Sequence, residues 1–157
     1  MKYFLDTEFN GFGGELLSLA LVSEHGDALY LVIDPPADIE PWVAENVMPI
    51  MYSVPDRTEI TFCTMDAAPQ EIADFFGNSS GGVPYIITDW PDDVRYLCQA
   101  VITGPGMMAP IARMQFDVVR VDAYPTTLPG AVQHNALWDA YALRERLFPG
   151  SFESARP

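Results

Sequence analysis

Three apolar segments at 2–9, 16–23 and 28–33 fall within the first 33 residues and are rich in β-competent side chains. The turn Glu24-His25-Gly26-Asp27 joins the second and third, a length that suits a hairpin. Three antiparallel strands at the amino end are therefore expected, and every later element has to pack against them. Pro35-Pro36 ends the run, and Asp38 is placed to cap a short helix reaching about residue 47, with Pro41 in its first turn. Pro49 and Pro55 interrupt 48–66, where 58–63 fits a short extended piece and nothing more is fixed.

Alternation begins after that point. Residues 66–76 read as a helix with Ile72, Phe75 and Phe76 inward and Gly77 as its stop, and 78–82 as a flexible turn. A buried strand is expected at 83–88, then a helix over about 92–102 whose stripe is Val94, Leu97, Cys98 and Val101. A strand at 114–121 precedes a last helix over about 135–147, with Ala136, Ala140, Leu143 and Leu147 on one face. This order predicts an α/β domain: a mixed sheet of five strands, three antiparallel and then parallel ones, with helices on both faces. No repeat or linker divides the chain, so 1–157 reads as a single domain.

The chain carries 22 Asp and Glu against 8 Lys and Arg, a formal charge of −14, yet 49% of its residues are hydrophobic. Such a chain folds into a core and is not disordered. It is poorly suited to coating nucleic acid or an anionic membrane, because that binding uses many basic side chains. Cys63 and Cys98 make no CxxC pair, and no Cys/His cluster has zinc spacing. Asp6 and Glu8 stand where a secretory signal needs an apolar run. The uncharged stretch 96–112 is broken by Gly104-Pro105-Gly106 and Pro110. A cytoplasmic protein without a membrane segment is expected.

Several acids occupy positions that should be apolar. Asp6 and Glu8 lie two apart on the first strand and so share a face with Phe4, where two carboxylates can serve one cation. Asp139 lies three residues after Ala136 and four before Leu143, inside the apolar stripe of the last helix. No cation stands three or four residues from it, so burial requires a partner from elsewhere, and rotation of the helix toward solvent is the alternative. Asp93 leans toward the buried face of its helix, although an acid in a first turn also serves the helix dipole. Asp89 ends the preceding strand. His134, five residues before Asp139, is the one histidine placed as a general base, since His25 lies in a turn.

Together, Phe4-Leu5-Asp6-Thr7-Glu8-Phe9, the segment Thr88-Asp89-Trp90-Pro91-Asp92-Asp93 with Tyr96-Leu97, and His134-Asn135-Ala136-Leu137-Trp138-Asp139 resemble the three motifs of the DEDDh exonucleases of the RNase H-like superfamily. The compact length and the Tyr3-to-Phe9 opening are most similar to a small bacterial and phage exoribonuclease group. The second motif departs from the usual pattern: alignment on Tyr96-Leu97 selects Asp93, with Asp89 as the alternative.

The resemblance implies an RNase H-like fold in which Asp6, Glu8, Asp93 and Asp139 hold two divalent cations, Mg²⁺ or Mn²⁺, about 4 Å apart. His134 is then the general base. It also implies a 3′-to-5′ exonuclease releasing nucleoside 5′-monophosphates from RNA or single-stranded 3′ ends, with Thr7, Phe9, Asn10 and Phe12 near the terminal nucleotide. A phosphodiesterase confined to dinucleotides and a non-catalytic RNase H-like binding module are the alternatives, and a homodimer is compatible with each. Two cations would offset four of the acids, so the acidic balance then disfavours only extensive binding along a duplex.

Overall fold

The computed structural model describes residues 1–56, 58–78, 82–122 and 125–154. In chain order its elements are β1 (Lys2–Phe9), β2 (Leu16–Ser23), β3 (Ala28–Ile33), α1 (Pro41–Asn46), β4 (Thr61–Cys63), α2 (Ala68–Asn78), β5 (Tyr85–Thr88) and α3 (Pro91–Ala100). There follow β6 (Ile102–Gly104), β7 (Met107–Met108), β8 (Gln115–Val118), α4 (Ala136–Leu147) and α5 (Ser151–Ser154). One mixed sheet of six strands runs β4-β3-β2-β1-β5-β8, and β6 and β7 form a separate hairpin. β1, β2 and β3 are antiparallel neighbours, whereas β4 joins β3, β5 joins β1 and β8 joins β5 in parallel.

The sheet has one strand more than the five expected. The addition is β4, from the proline-interrupted region, where only three residues pair with the edge strand β3. It falls within the short extended piece read at 58–63, but with Phe62 exposed at its centre it has too little hydrophobic alternation to announce a strand of the sheet.

Helices cover both faces. Phe4, Val22, Leu137 and Leu143 belong to a core between the sheet and α4; Tyr3, Leu5, Ile72 and Leu97 belong to a second core on the side of α2 and α3. β2 lies between β1 and β3 and is buried at all eight of its residues. Among the described residues no helix is long and apolar enough to cross a membrane.

Four local expectations need correction. The cap of α1 is Glu40, not Asp38: its carboxylate accepts from the N–H groups of Trp42 and Val43 at 2.9 and 3.2 Å, while Pro41 occupies the first helical position. Gly77 does not stop α2, which runs on to Asn78. The third helix ends at Ala100 and buries Asp93, Tyr96, Leu97 and Ala100, a stripe rotated from the one centred on Val94 and Cys98. The chain then makes the β6–β7 hairpin in place of a simple bend. Of the turn expected at 78–82, residues 79–81 lie outside the described ones.

The start of α4 is the best-anchored junction. Asn135, fully buried, accepts from the N–H groups of Leu137 and Trp138 at 3.1 and 3.3 Å. Its amide donates to the carbonyls of Ile50 and Met51 at 2.9 and 3.2 Å. One side chain thus caps the helix and fastens it to the short 3₁₀ turn Met48–Ile50. Asn135→Ala is expected to lower stability by about 2–4 kcal/mol, combining a lost cap with two lost hydrogen bonds to the Ile50 and Met51 carbonyls, which keep their bonds from the Ser53 N–H and the Tyr30 hydroxyl. Asn135→Ser should restore about 1 kcal/mol of that through the cap alone. Urea unfolding of the three proteins gives the values.

Candidate metal centre

β1 sends functional groups to both of its faces. Asp6 and Glu8 lie on the α4 face with Phe4, and Thr7 points to the opposite face, where its hydroxyl donates to Asp93 at 2.6 Å. Parallel pairing of β1 with β5 sets Phe4 opposite Ile87. Two residues further along each strand, this register brings Asp6 and Asp89 to the same level. Asp93 follows in the first turn of α3.

The result is two groups of three carboxylates that share Asp6. Oxygens of Asp6, Glu8 and Asp139 lie within 4.8 Å of one another, and so do oxygens of Asp6, Asp89 and Asp93. Asp89 therefore joins Asp93 in the cluster; the sequence treated the two as alternatives. The Thr88-Asp89 pair at a strand end was the available signal, but motif spacing alone could not show that both acids converge.

Each wall of the cluster is braced. Asp93 is almost completely buried, and its second oxygen accepts from the Thr88 hydroxyl at 2.5 Å. Asp139 accepts from the N–H of Asn135 at 3.3 Å while its own N–H donates back to the Asn135 carbonyl at 3.0 Å. The carboxylate in the apolar stripe of α4 is thus partnered by the backbone of its own helix start.

Among the described residues, Arg120 is the cation that acts on these acids, through Asp89. Burial, reinforced by Asp93, Asp139, Glu8 and Asp89, pushes the Asp6 carboxyl well above its ordinary range. Glu8 is pushed up to about 8 by burial and then by Asp139 and Asp93. Asp93 and Asp139 are each raised to about 7, mainly by burial, against the lowering effect of their hydrogen-bond donors. Asp89 is raised by burial, with Arg120 pulling the other way. An oxygen-only set of five acids fits a hard divalent cation such as Mg²⁺ or Mn²⁺ better than zinc.

His134 is exposed and adopts a left-handed backbone conformation, φ 60°, immediately before the cap residue Asn135. Its ring meets Trp42 of α1 edge to face at 5.1 Å between centroids. The residues grouped around the terminal nucleotide by resemblance occupy different positions. Phe9 stacks on Tyr96 at 4.7 Å and packs against the core. The Asn10 side chain donates to the Asp38 carbonyl and accepts from the Glu40 N–H, tying the loop after β1 to the cap of α1. Thr7 is buried against Asp93. Phe12 alone of the four is open, 96% exposed in that loop.

Compared with known proteins, the chain matches no family model, and no curated protein matches its sequence.

The raised acids dictate how stability depends on pH. Their ordinary values are near 4, whereas Glu8, Asp93 and Asp139 hold their protons to pH 7–8 in the folded protein. The folded state thus binds more protons than the unfolded one in that window, and stability is lost as pH rises through it. In EDTA the melting temperature is expected to fall from pH 5 to pH 8.5. Added Mn²⁺ should restore it, by more at pH 8 than at pH 5, because protons compete for the same oxygens. Glu8→Gln should stabilise the metal-free protein at pH 8 by about 1–2 kcal/mol and reduce the Mn²⁺ increment. A melting temperature that rises with pH in EDTA would contradict this account.

Proposed function

We propose that the protein is a metal-dependent 3′-to-5′ exonuclease of RNase H-like architecture, acting on RNA or single-stranded 3′ ends and releasing nucleoside 5′-monophosphates. The observation that carries the reading is the sharing of Asp6 by two carboxylate triads at the ends of the adjacent strands β1 and β5, with an exposed histidine one residue from the helix start that holds Asp139. Topology supports it: behind three antiparallel strands and parallel β5 and β8, the acids come from β1, the β5–α3 junction and α4, in the order that the sequence motifs resemble.

Asp6, Glu8 and Asp139 would hold one Mg²⁺ or Mn²⁺, and Asp6, Asp89 and Asp93 a second. When bound, such ions supply Lewis-acid polarisation of a phosphoryl group and offset the charge that develops on a departing 3′ oxygen. The protein's own groups do the rest. Thr7 and Thr88 fix both oxygens of Asp93, so that ligand cannot swing away from Asp6. The Asn135 N–H orients Asp139. The imidazole of His134, solvent-exposed beside Trp42, accepts the proton of the attacking water. Phe12, almost fully exposed, offers a face to the terminal base.

A 5′-labelled oligoribonucleotide and its deoxy counterpart, incubated with Mg²⁺ or Mn²⁺, test the proposal. Stepwise shortening from the 3′ end is expected. Asp6→Asn should slow it by about 10³-fold or more, and His134→Ala by about 10²–10⁴-fold, the range for loss of a positioned general base. Melting curves confirm that both variants fold. Shortening that survives Asp6→Asn, or none by the unaltered protein, would overturn the reading. Cleavage of a dinucleotide but not of longer chains would restrict it to a small-substrate phosphodiesterase.

A further inference from the structure

A nucleic-acid chain brings one negative charge per nucleotide to a protein with only 8 basic residues. Three of the six described are committed elsewhere. Lys2 lies over the Phe148 ring, Arg95 pairs with Asp92 and covers Tyr96, and Arg144 is buried with one nitrogen on the Glu24 carbonyl. Arg113 lines a cavity of about 320 Å³ beside α2. Among the described residues, Arg120 is the cation whose charge acts on the acid cluster, through Asp89.

Sheet register explains its position. Thr88 pairs with Val118 in the parallel β5–β8 ladder, and the Val119 N–H continues the pairing to the Thr88 carbonyl at 2.8 Å. Two residues past the Thr88–Val118 pair stand Trp90 and Arg120. The Arg120 guanidinium carbon lies 5.5 Å from the centre of the Trp90 ring, within cation–π range. Trp90 is 48% exposed, and Arg120 is exposed as well. This pair borders the Asp6–Asp89–Asp93 triad. It combines the two groups that single-stranded nucleic acid needs beyond the scissile bond: an aromatic face for a base and a planar donor fork for a phosphate.

We infer that Trp90 and Arg120 form a nucleotide subsite flanking the acid cluster, which takes the base and phosphate of a nucleotide adjacent to the scissile one in a single-stranded chain. The inference rests on the exonuclease reading for the identity of the scissile bond. The subsite itself needs only single-stranded nucleic acid beside the acid cluster. Because stacking is indifferent to base identity and Arg120 meets a phosphate, the subsite confers grip and not sequence preference. A guanidinium that merely neutralised Asp89 would have no need of an exposed indole beside it.

Fluorescence anisotropy with a labelled heptaribonucleotide, with Ca²⁺ in place of Mg²⁺, measures the subsite without turnover. Trp90→Ala is expected to weaken binding by about five- to a hundredfold, the range for loss of one base-stacking partner, and Trp90→Phe to recover most of it. Arg120→Ala should weaken binding by about tenfold or more and lower the slope of log affinity against log salt by about 1, as for loss of one phosphate contact. Its Mn²⁺ affinity, read by calorimetry without nucleic acid, should stay within about twofold of the parent. Unchanged oligonucleotide affinity in both alanine variants would overturn the inference. So would a fall in Mn²⁺ affinity that matches the oligonucleotide loss in Arg120→Ala, since Arg120 would then serve Asp89. An oligonucleotide bound through Trp90 and Arg120 but never shortened would support the subsite while overturning the exonuclease reading.

Discussion

Five carboxylates converge where Asp6 can reach all of them, and the rest of the structure has to tolerate their repulsion. At about 5 Å and an effective dielectric near 20, each ionised pair costs roughly 3 kcal/mol. Fully ionised triads would therefore oppose folding by an amount comparable to the whole stability of a domain, about 5–15 kcal/mol. The acids must hold protons or a cation for the fold to survive near neutrality. Raised proton affinities at Asp6, Glu8, Asp93 and Asp139 are the protonated solution, and a divalent cation is the other. A cluster this unfavourable in isolation could hold a cation, because binding would relieve a cost already present in the folded protein.

The scaffold withstands that cost by placing its anchors outside the cluster. β2 is buried along its whole length and registers β1 from the side away from β5, so Asp6 and Glu8 are fixed by pairing with Ala20 and Ser18 whatever their charge. α4 is fastened by Asn135 to the turn at Ile50 and Met51, and α3 by the fully buried Leu97 and by Tyr96, whose hydroxyl donates to the Gly14 carbonyl. Gly14 has no alternative there: a Cβ would fall 1.9 Å from the Asn10 carbonyl oxygen. That close approach folds the loop after β1 back on itself and leaves Phe12 at its tip.

The sequence made the centre legible for a simple reason: an acid within an apolar period conflicts with burial, and Asp6, Glu8 and Asp139 each show that conflict. The antiparallel amino end and the alternation after it were equally readable, because long apolar strands and amphipathic helices carry strong periods. What stayed hidden depended on register between distant segments. The extended piece at 58–63 was readable but its pairing onto β3 as β4 was not, and the convergence of Asp89 with Asp93 follows from parallel pairing of β1 and β5. Capping was misread in one instance because Glu40 can curl back over the Pro41 turn as well as Asp38 could. In α3 the lean of Asp93 toward the buried face was legible, but the apolar stripe was set on Val94 and Cys98, whereas Asp93 points inward with Tyr96 and Leu97 to meet two threonine hydroxyls.

Net charge follows from the same geometry. A surface of −14 repels a polyanion at long range, but the Debye length at physiological salt is about 8 Å, so the repulsion acts chiefly on segments lying along the protein. Under the proposed function, a chain end presented to the acid cluster would avoid most of it. There the local sign would be set by what occupies the triads: two divalent cations would add four positive charges against five acids, and Arg120 a fifth. The site would then be close to neutral while the remainder stays acidic. Such a distribution would admit a few terminal nucleotides more readily than the body of a long duplex, so selectivity for ends would arise from electrostatics before any side chain contacts a base.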